Sequence, residues 1–506
     1  MRTLTAATIL FSTQATAQVS VTTWHNDLAR TGANTQETKL TPANVTASSF
    51  GKLCAYAVDG QIYAQPLYVP GLTIAGAAHN VVFVATEHDS VYAFDADCSQ
   101  TGALWQSSFL GKNITTMPCT NDKQEQCDVT VMAPEHGISP TPVIDPTANT
   151  IFVAAQSVES GKYTQKLHAL SLTTGAEAAN SPVIIGGSAP TNPKKKFDPT
   201  QAFQRAGLLL LNGTVYVPFA SNDSATGWVF GYSETTLAQQ SIFCVTPNGN
   251  LGGIWGGGAA PAVDASGAIY LGTGNGSFNA EKHGANYSMS ALKLAPSGST
   301  LSVTSYFTPT NEAKLSGHDL DLDSGGLILL PGNEAVIGFK TGRMFVLNTG
   351  DLGGFGSRNA KQDILAHQGG IWSSPATWNG NLYLAGVGGP LLQWVLDNGR
   401  VPAAPTYQSA TIFPYPGATP SITSNGNSNA IIWAIESTGR VQGGKPAILH
   451  AYDATNVSHE LYNSAQSGHR DTAGASVKFT VPTIADGHAF VGTQTELDVY
   501  GLLPGR

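Results

Sequence analysis

Charge is what this 506-residue chain has least of: Asp, Glu, Lys and Arg make up 12% of it, about half the quarter usual in globular proteins. The net charge is −9 and the one basic run is Lys194-Lys195-Lys196, which reads as a solvated loop and excludes a nucleic-acid partner. Long apolar runs are missing too. Past the N-terminus none approaches the roughly 20 residues of a membrane-crossing helix, so no span is expected. The five cysteines form no C-x-x-C, include no adjacent pair and lack histidines at metal-ligand spacing, which argues against zinc. No G-x-S-x-G turn occurs, removing one route to hydrolase chemistry. The glycine run GGIWGGG (252–258) is followed by no helix and no phosphate-binding lysine, so it supports no nucleotide site.

Glycine, by contrast, is abundant at 56 residues, as a turn-rich β chain requires. One phrase returns eight times: a strand-like run, a tight turn, a second hydrophobic run, and a third ending in an acidic or polar turn. VVFVATEHDSVYAFDAD (81–97), AVIGFKTGRMFVLNTGD (335–351), LYLAGVGGPLLQWVLDNG (382–399) and AFVGTQTELDVYGLL (489–503) are examples. The runs alternate with period two, are rich in Val, Ile, Leu, Tyr and Thr, and recur every 45–75 residues or so. Several repeats open on a proline, as in AQPLYV, SPTPVID, AAPAVD, SSPATW, ATPSIT and TVPTI; lacking an N–H, proline suits an exposed or strand-starting position. The last repeat ends without an outer strand of its own, whereas FGKLCAYAV (50–58) precedes the first with nothing to pair with. The expectation is an all-β, eight-bladed β-propeller closed by the N-terminal strand, which removes the free sheet edges of an open array.

The opening residues MRTLTAATILFSTQATA read as a cleavable signal peptide over 1–17, leaving 18–506 as a single propeller domain that is secreted, or periplasmic if bacterial. Cysteines fit that oxidising setting: Cys54 with Cys98 and Cys119 with Cys127 are the candidate disulfides, and one thiol is left over. Asn-X-Ser/Thr sequons begin at Asn44, Asn113, Asn212, Asn222, Asn275, Asn286 and Asn456 and point towards a glycoprotein.

TWHNDLARTG (23–32), DGQIYAQPLYV (59–69), VFVATEHDSVYAFDAD and GASVKFTVPTIADGHAFVGTQTELDVYGLL resemble the PQQ-like propeller repeats of quinoprotein dehydrogenases over nearly the whole mature chain. That resemblance implies the fold, and it implies pyrroloquinoline quinone with calcium as the cofactors of one possible activity, alcohol or sugar oxidation. The chain departs from the family in lacking the vicinal cysteine pair that covers the quinone. In kind, though without a matching motif, it is also similar to secreted fungal hetero-Diels-Alder cyclases of tropolone sesquiterpenoid pathways.

Long connections gather on one face of the repeats, as in 107–136, 156–166, 182–203, 275–287, 308–322 and 436–446, and long loops on a rigid scaffold are where binding residues sit. Aligning the repeats on their prolines brings Gln204, Asp323 and Lys478, then Tyr63, Arg205, Trp372 and Phe479, to that mouth of the channel. Gln65 lies in the opening phrase AQPLYV, and Trp255 shares its phrase GGIW with Trp372. Aromatics with a few charges suit a largely apolar organic ligand with polar handles. Arg205, Asp323, Lys478, His136 and His318 are the candidate catalytic groups, with Tyr63, Gln65, Gln204, Trp255, Trp372 and Phe479 as ligand-binding residues. His25 and His367 are placed near the same face. Asp319, Asp321 and Asp323, in HDLDLDSGG (318–326), form either a calcium site or a polar strand face or turn; a calcium loop would want glutamate where Leu330 stands. The expected function is cofactor-independent cyclisation of an apolar metabolite through a quinone methide. The alternatives are a PQQ- and calcium-dependent dehydrogenase and a non-catalytic ligand- or protein-binding scaffold.

Overall fold

The computed structural model describes residues 19–119, 134–221, 225–437 and 444–505; the expected signal peptide (1–17), Cys127 and Asn222 lie outside them. Its strands pair into four-stranded antiparallel units that follow one another along the chain, consistent with eight blades. The first is Leu67–Ile74, Ala77–Ala85, Ser90–Asp95 and Ala103–Ser108. In the last, Thr483–Ala485, His488–Gly492 and Glu496–Leu502 are completed by the N-terminal strand Phe50–Ala57. This is the expected all-β propeller, closed as expected.

Burial explains why these runs become these strands. Middle strands such as Ser90–Asp95 are buried at every residue because both faces of a blade meet a neighbour, whereas the outer strand Tyr407–Phe413 buries only two positions, Ser409 and Phe413. The core is accordingly a ring of clusters between successive blades. Val215, Phe230 and Phe152 join the second and third, Ile328, Val346 and Trp394 the fifth and sixth, and Phe490, Val499 and Val82 the last and first. Polar side chains latch the same seams: Trp105 donates to the Leu172 carbonyl (2.8 Å), Tyr383 to that of Ala454 (2.6 Å) and Tyr56 to that of Asp95 (2.7 Å). The closing strand is further tied by the Cys54–Cys98 disulfide, which spans 44 residues, and by Lys52 to Asp498 and Glu496.

Pro66, Pro142, Pro261, Pro375, Pro420 and Pro482 each stand immediately before the innermost strand of a blade, where the missing N–H costs no ladder bond. One loop expectation fails. Residues 156–166 are not a long connection but a hairpin, Thr150–Glu159 with Lys162–Ser171, turning on Ser160 and Gly161 in left-handed conformations. The sequon residue Asn286 is buried.

The stretch before the closing strand has a role the repeats do not reveal: residues 21–36 cross one inner strand after another. Val21 bonds reciprocally with Tyr68, and the carbonyls of Thr22, Leu28, Ala29, Thr31 and Gly32 accept from Ile144, Val263, Leu329, Thr377 and Ile422. Ala33–Asn34 then runs parallel to the inner strand of the seventh unit. This segment closes the axis at the level of the inner strands. The residues preceding the prolines lie one level away, at the other mouth.

Candidate active site at the mouth of the propeller axis

Arg205 is the centre of that mouth. It is 6% exposed, and its Cζ lies 4.3 Å from the centroid of the Phe479 ring and 5.2 Å from that of Tyr63. Its Nη2 is buried with no hydrogen-bond partner, and among the described residues no carboxylate forms an ion pair with it. Burial holds its proton affinity below the usual arginine value, offset in part by Tyr63, Glu87 and Tyr415. The Lys478 ammonium stands 5.2 Å from the same Phe479 ring.

Near it stand an acid and a histidine whose displaced proton affinities both register its charge. Glu87, from the second-to-third strand turn of the first blade, accepts from Gly137 N (2.8 Å) and Ser139 Oγ (2.6 Å). Burial pushes its carboxyl up to about 7, with these hydrogen bonds and Arg205 pulling the other way. His136 Nε2 lies 3.0 Å from Ser139 Oγ. Because that hydroxyl donates to Glu87, the imidazole donates from Nε2 and keeps Nδ1 as an acceptor. Burial, then the charge of Arg205, push His136 down to about 3, so it is neutral.

Asp323 accepts from Trp255 N through Oδ2 (2.7 Å), while its buried Oδ1 has no partner. Burial, with Asp321 next to it, raises it to about 8; at neutral pH it is a carboxylic acid with a proton to give. Aromatic contacts connect these groups: His136 to Phe203 (4.6 Å), Phe203 to Trp255 (5.5 Å), Trp372 to Tyr415 (5.7 Å) and Tyr415 to Phe479 (6.4 Å). The glycine run completes the wall. Gly257 has φ 61°, and a Cβ on it would run into the Trp372 carbonyl, so only glycine lets the two repeats approach so closely.

The structure thus brings Tyr63, Arg205, Phe479 and Lys478 together, and joins Gln204, Trp255, Trp372, His136 and Asp323 to the same mouth. Gln204 donates to the carbonyls of Ala206 (2.9 Å) and Pro218 (2.9 Å) and leaves Oε1 buried without a partner. Other expected residues lie elsewhere. His318 is exposed at the end of the short helix Glu312–Ser316, its Nδ1 on the Lys314 carbonyl (2.8 Å). Gln65 belongs to the closed end: it accepts from His25 N (2.8 Å) and donates to Thr483 Oγ1 (3.0 Å). His25 is there too, bonded to the carbonyls of Arg30 and Pro420, while His367 is held by the Val387 carbonyl (2.6 Å). Asp319, Asp321 and Asp323 do not converge, because the segment is a turn with Asp319 at φ 55° rather than an extended strand. Asp319 and Asp321 pair instead with Lys340 (2.9 and 2.6 Å). Glu87 was not anticipated; superposing the second-to-third strand turns, where TEHD (86–89) puts an acid, would have found it.

Cys54–Cys98 forms as expected, Cys119 is disulfide-bonded and packs beside Tyr63 and Phe203, and Cys244 is a buried free thiol. No described helix is long and apolar enough to cross a membrane.

The quinone-and-calcium arrangement implied by the sequence resemblance does not fit the residues present. Calcium takes about six to eight oxygens, carboxylate, amide and backbone carbonyl, and the acids expected to supply them are engaged elsewhere. Both Glu87 oxygens are spent on Gly137 and Ser139, Lys340 occupies Asp319 and Asp321, and the chain has no adjacent cysteines to cover a quinone.

No family model and no curated protein matches the chain. Solved structures do. A quinohemoprotein alcohol dehydrogenase from Comamonas testosteroni aligns with a TM-score of 0.63 at 15% identity, over 98% of this chain and 82% of its own. A europium-containing methanol dehydrogenase aligns at 0.62 and 14% identity, over 96% and 98%, and BamB from Moraxella catarrhalis at 0.51 and 12%, over 89% and 99%. At such identities the similarity is one of fold, and the chain has the propeller fold of these proteins.

Proposed function

We propose that the protein is an exported propeller, one domain over 18–506, that binds a small organic molecule at the axial mouth and catalyses an acid-assisted cyclisation without a bound cofactor. The observation that supports this reading is the company of buried polar atoms without partners at one mouth: Arg205 Nη2, Asp323 Oδ1 and Gln204 Oε1. Native structures rarely leave such groups unpaired, and unpaired groups with displaced proton affinities mark working sites.

In this reading Asp323 gives its proton to the hydroxymethyl oxygen of a hydroxylated ring; the C–O bond breaks and water leaves, the ring hydroxyl returns its proton to the Asp323 carboxylate, and its oxygen becomes the carbonyl of a quinone methide. The ring carbonyl oxygen and the exocyclic carbon then add across an alkene, forming one C–O and one C–C bond. Arg205 stabilises the charge that gathers on the carbonyl oxygen, and Trp255, Trp372 and Phe479 hold the partners in a reactive pose and exclude water. The test is turnover of a hydroxymethyl tropolone with an electron-rich alkene, followed by mass spectrometry of the adduct. Asp323→Asn is expected to lower the rate by about 10²-fold or more; an unchanged rate removes Asp323 from the reaction.

The dehydrogenase alternative draws on the fold similarity alone. Calorimetric titration with pyrroloquinoline quinone, with and without calcium, decides it: tight calcium-dependent binding would replace the cyclase reading.

A further inference from the structure

Resting on the reading of the axial mouth as a small-molecule site, we infer that its ligand is an aromatic carboxylate, received by the guanidinium of Arg205. The buried, unpartnered edge of that guanidinium carries the argument. Arg205 is buried, and none of the described carboxylates reaches it. The nearest to act on it, Glu87, has turned both oxygens to Gly137 N and Ser139 Oγ. Glu87, raised to about 7, carries only part of a negative charge at pH 7, and Asp323, raised to about 8, is largely protonated. Among the described residues the N–H edge of Arg205 is therefore left unmatched, and it favours an anion over a cation.

The kind of anion follows from what surrounds Arg205. Its carbon sits over two aromatic rings, so what it offers a ligand is its N–H edge, where Nη2 has no partner. That fork matches the two oxygens of a carboxylate and forms charge-assisted bonds. The walls next to it are flat: Phe203, Trp255, Trp372, Tyr415 and Phe479. A ring carrying the carboxylate beside its carbonyl would stack on them, so that the N–H donors of Arg205 meet the acid group and the neighbouring carbonyl oxygen together. The unionised Asp323 then donates to a second polar substituent rather than repelling the anion.

Calorimetric titration of the full mature chain with benzoate, benzamide and benzylammonium near pH 7 tests this. Benzoate is expected to bind at least about tenfold more tightly than its neutral isostere benzamide, with no binding of benzylammonium. Arg205→Met should erase the preference for benzoate and Arg205→Lys should keep part of it; should Arg205→Met fail to fold, the comparison of benzoate with benzamide on wild-type protein decides by itself. Equal binding of benzoate and benzamide, or a preference that survives in Arg205→Met, overturns the carboxylate assignment but leaves the pocket standing. Binding of none of the three aromatics by folded wild-type protein overturns both.

Discussion

Arg30 and Arg205 are both buried arginines on the propeller axis, neither has a carboxylate at ion-pair distance among the described residues, and both leave Nη2 without a partner. What differs is everything else they touch. Arg30 donates through Nε to the Pro261 carbonyl (2.9 Å) and through Nη1 to Thr23 Oγ1 (2.8 Å) and the carbonyls of Trp24 (2.9 Å) and Asp27 (3.0 Å). Arg205 has rings over its carbon and no such acceptors. The closed end of the axis spends its guanidinium on tying residues 23–30 to a blade. The open end holds one in reserve. A buried charge with acceptors belongs to the fold, and one without them belongs to a ligand.

The largest effect should come from breaking the closed end. Arg30→Met strands the carbonyls of Pro261, Trp24 and Asp27 in the interior, at about 1–3 kcal/mol for each lost partner. A loss of roughly 4 kcal/mol is expected in urea unfolding. Gly32→Ala attacks the same plug through the backbone. Gly32 has φ +75° and a Cβ there would collide with the His25 ring, so a cost of about 2 kcal/mol is expected. If either variant is as stable as wild type, the N-terminal segment is not what fastens that end.

Arg205→Met should move stability the other way. Replacing an unpaired buried cation by an apolar chain of similar length removes a desolvation cost, and a gain of about 1 kcal/mol is expected together with loss of the preference for benzoate over benzamide. A variant destabilised as much as Arg30→Met would make the two arginines equivalent and end the contrast.

The contrast was only half legible in the sequence. Blades could be read because each is a local pattern, period-two runs set between turns, and the prolines marked the inner strands to the residue. The same alignment placed Tyr63, Arg205 and Phe479 side by side, since strands repeated about one axis put equivalent positions at equivalent heights. It failed where a side chain's surroundings come from other elements. HDLDLD looks extended, and its alternation suggested three converging carboxylates; the segment is a turn, and Lys340, which lies outside the motif, takes Asp319 and Asp321 while Asp323 accepts from Trp255 N. Gln65 sits only two residues beyond Tyr63, yet serves the plug through His25 and Thr483. The plug itself has no periodicity, because its residues meet several different blades rather than one neighbouring strand. Glu87 was missed because its significance lies in being buried beside Arg205, which no local pattern records.

The smallest and most discriminating effect concerns the proton on Asp323. Its carboxyl titrates at about 8 in the folded chain against 3.8 in the unfolded one. Between those values the native state keeps a proton that the unfolded state has released, so stability falls as pH rises from about 4 to about 8. Glu87, raised from 4.5 to about 7 by burial, adds a slope of the same sign, but it is present in wild type and variant alike and cancels in their difference. Asp323→Asn can still accept from Trp255 N and has nothing to ionise. Its stability relative to wild type should therefore climb across that window by at least about 1 kcal/mol, whereas the difference between wild type and Arg30→Met should stay level. Unfolding curves at pH 5, 6, 7 and 8 would read both. A flat difference for Asp323→Asn would mean that the open end holds an ordinary carboxylate, and with it would go the acid the proposed reaction needs.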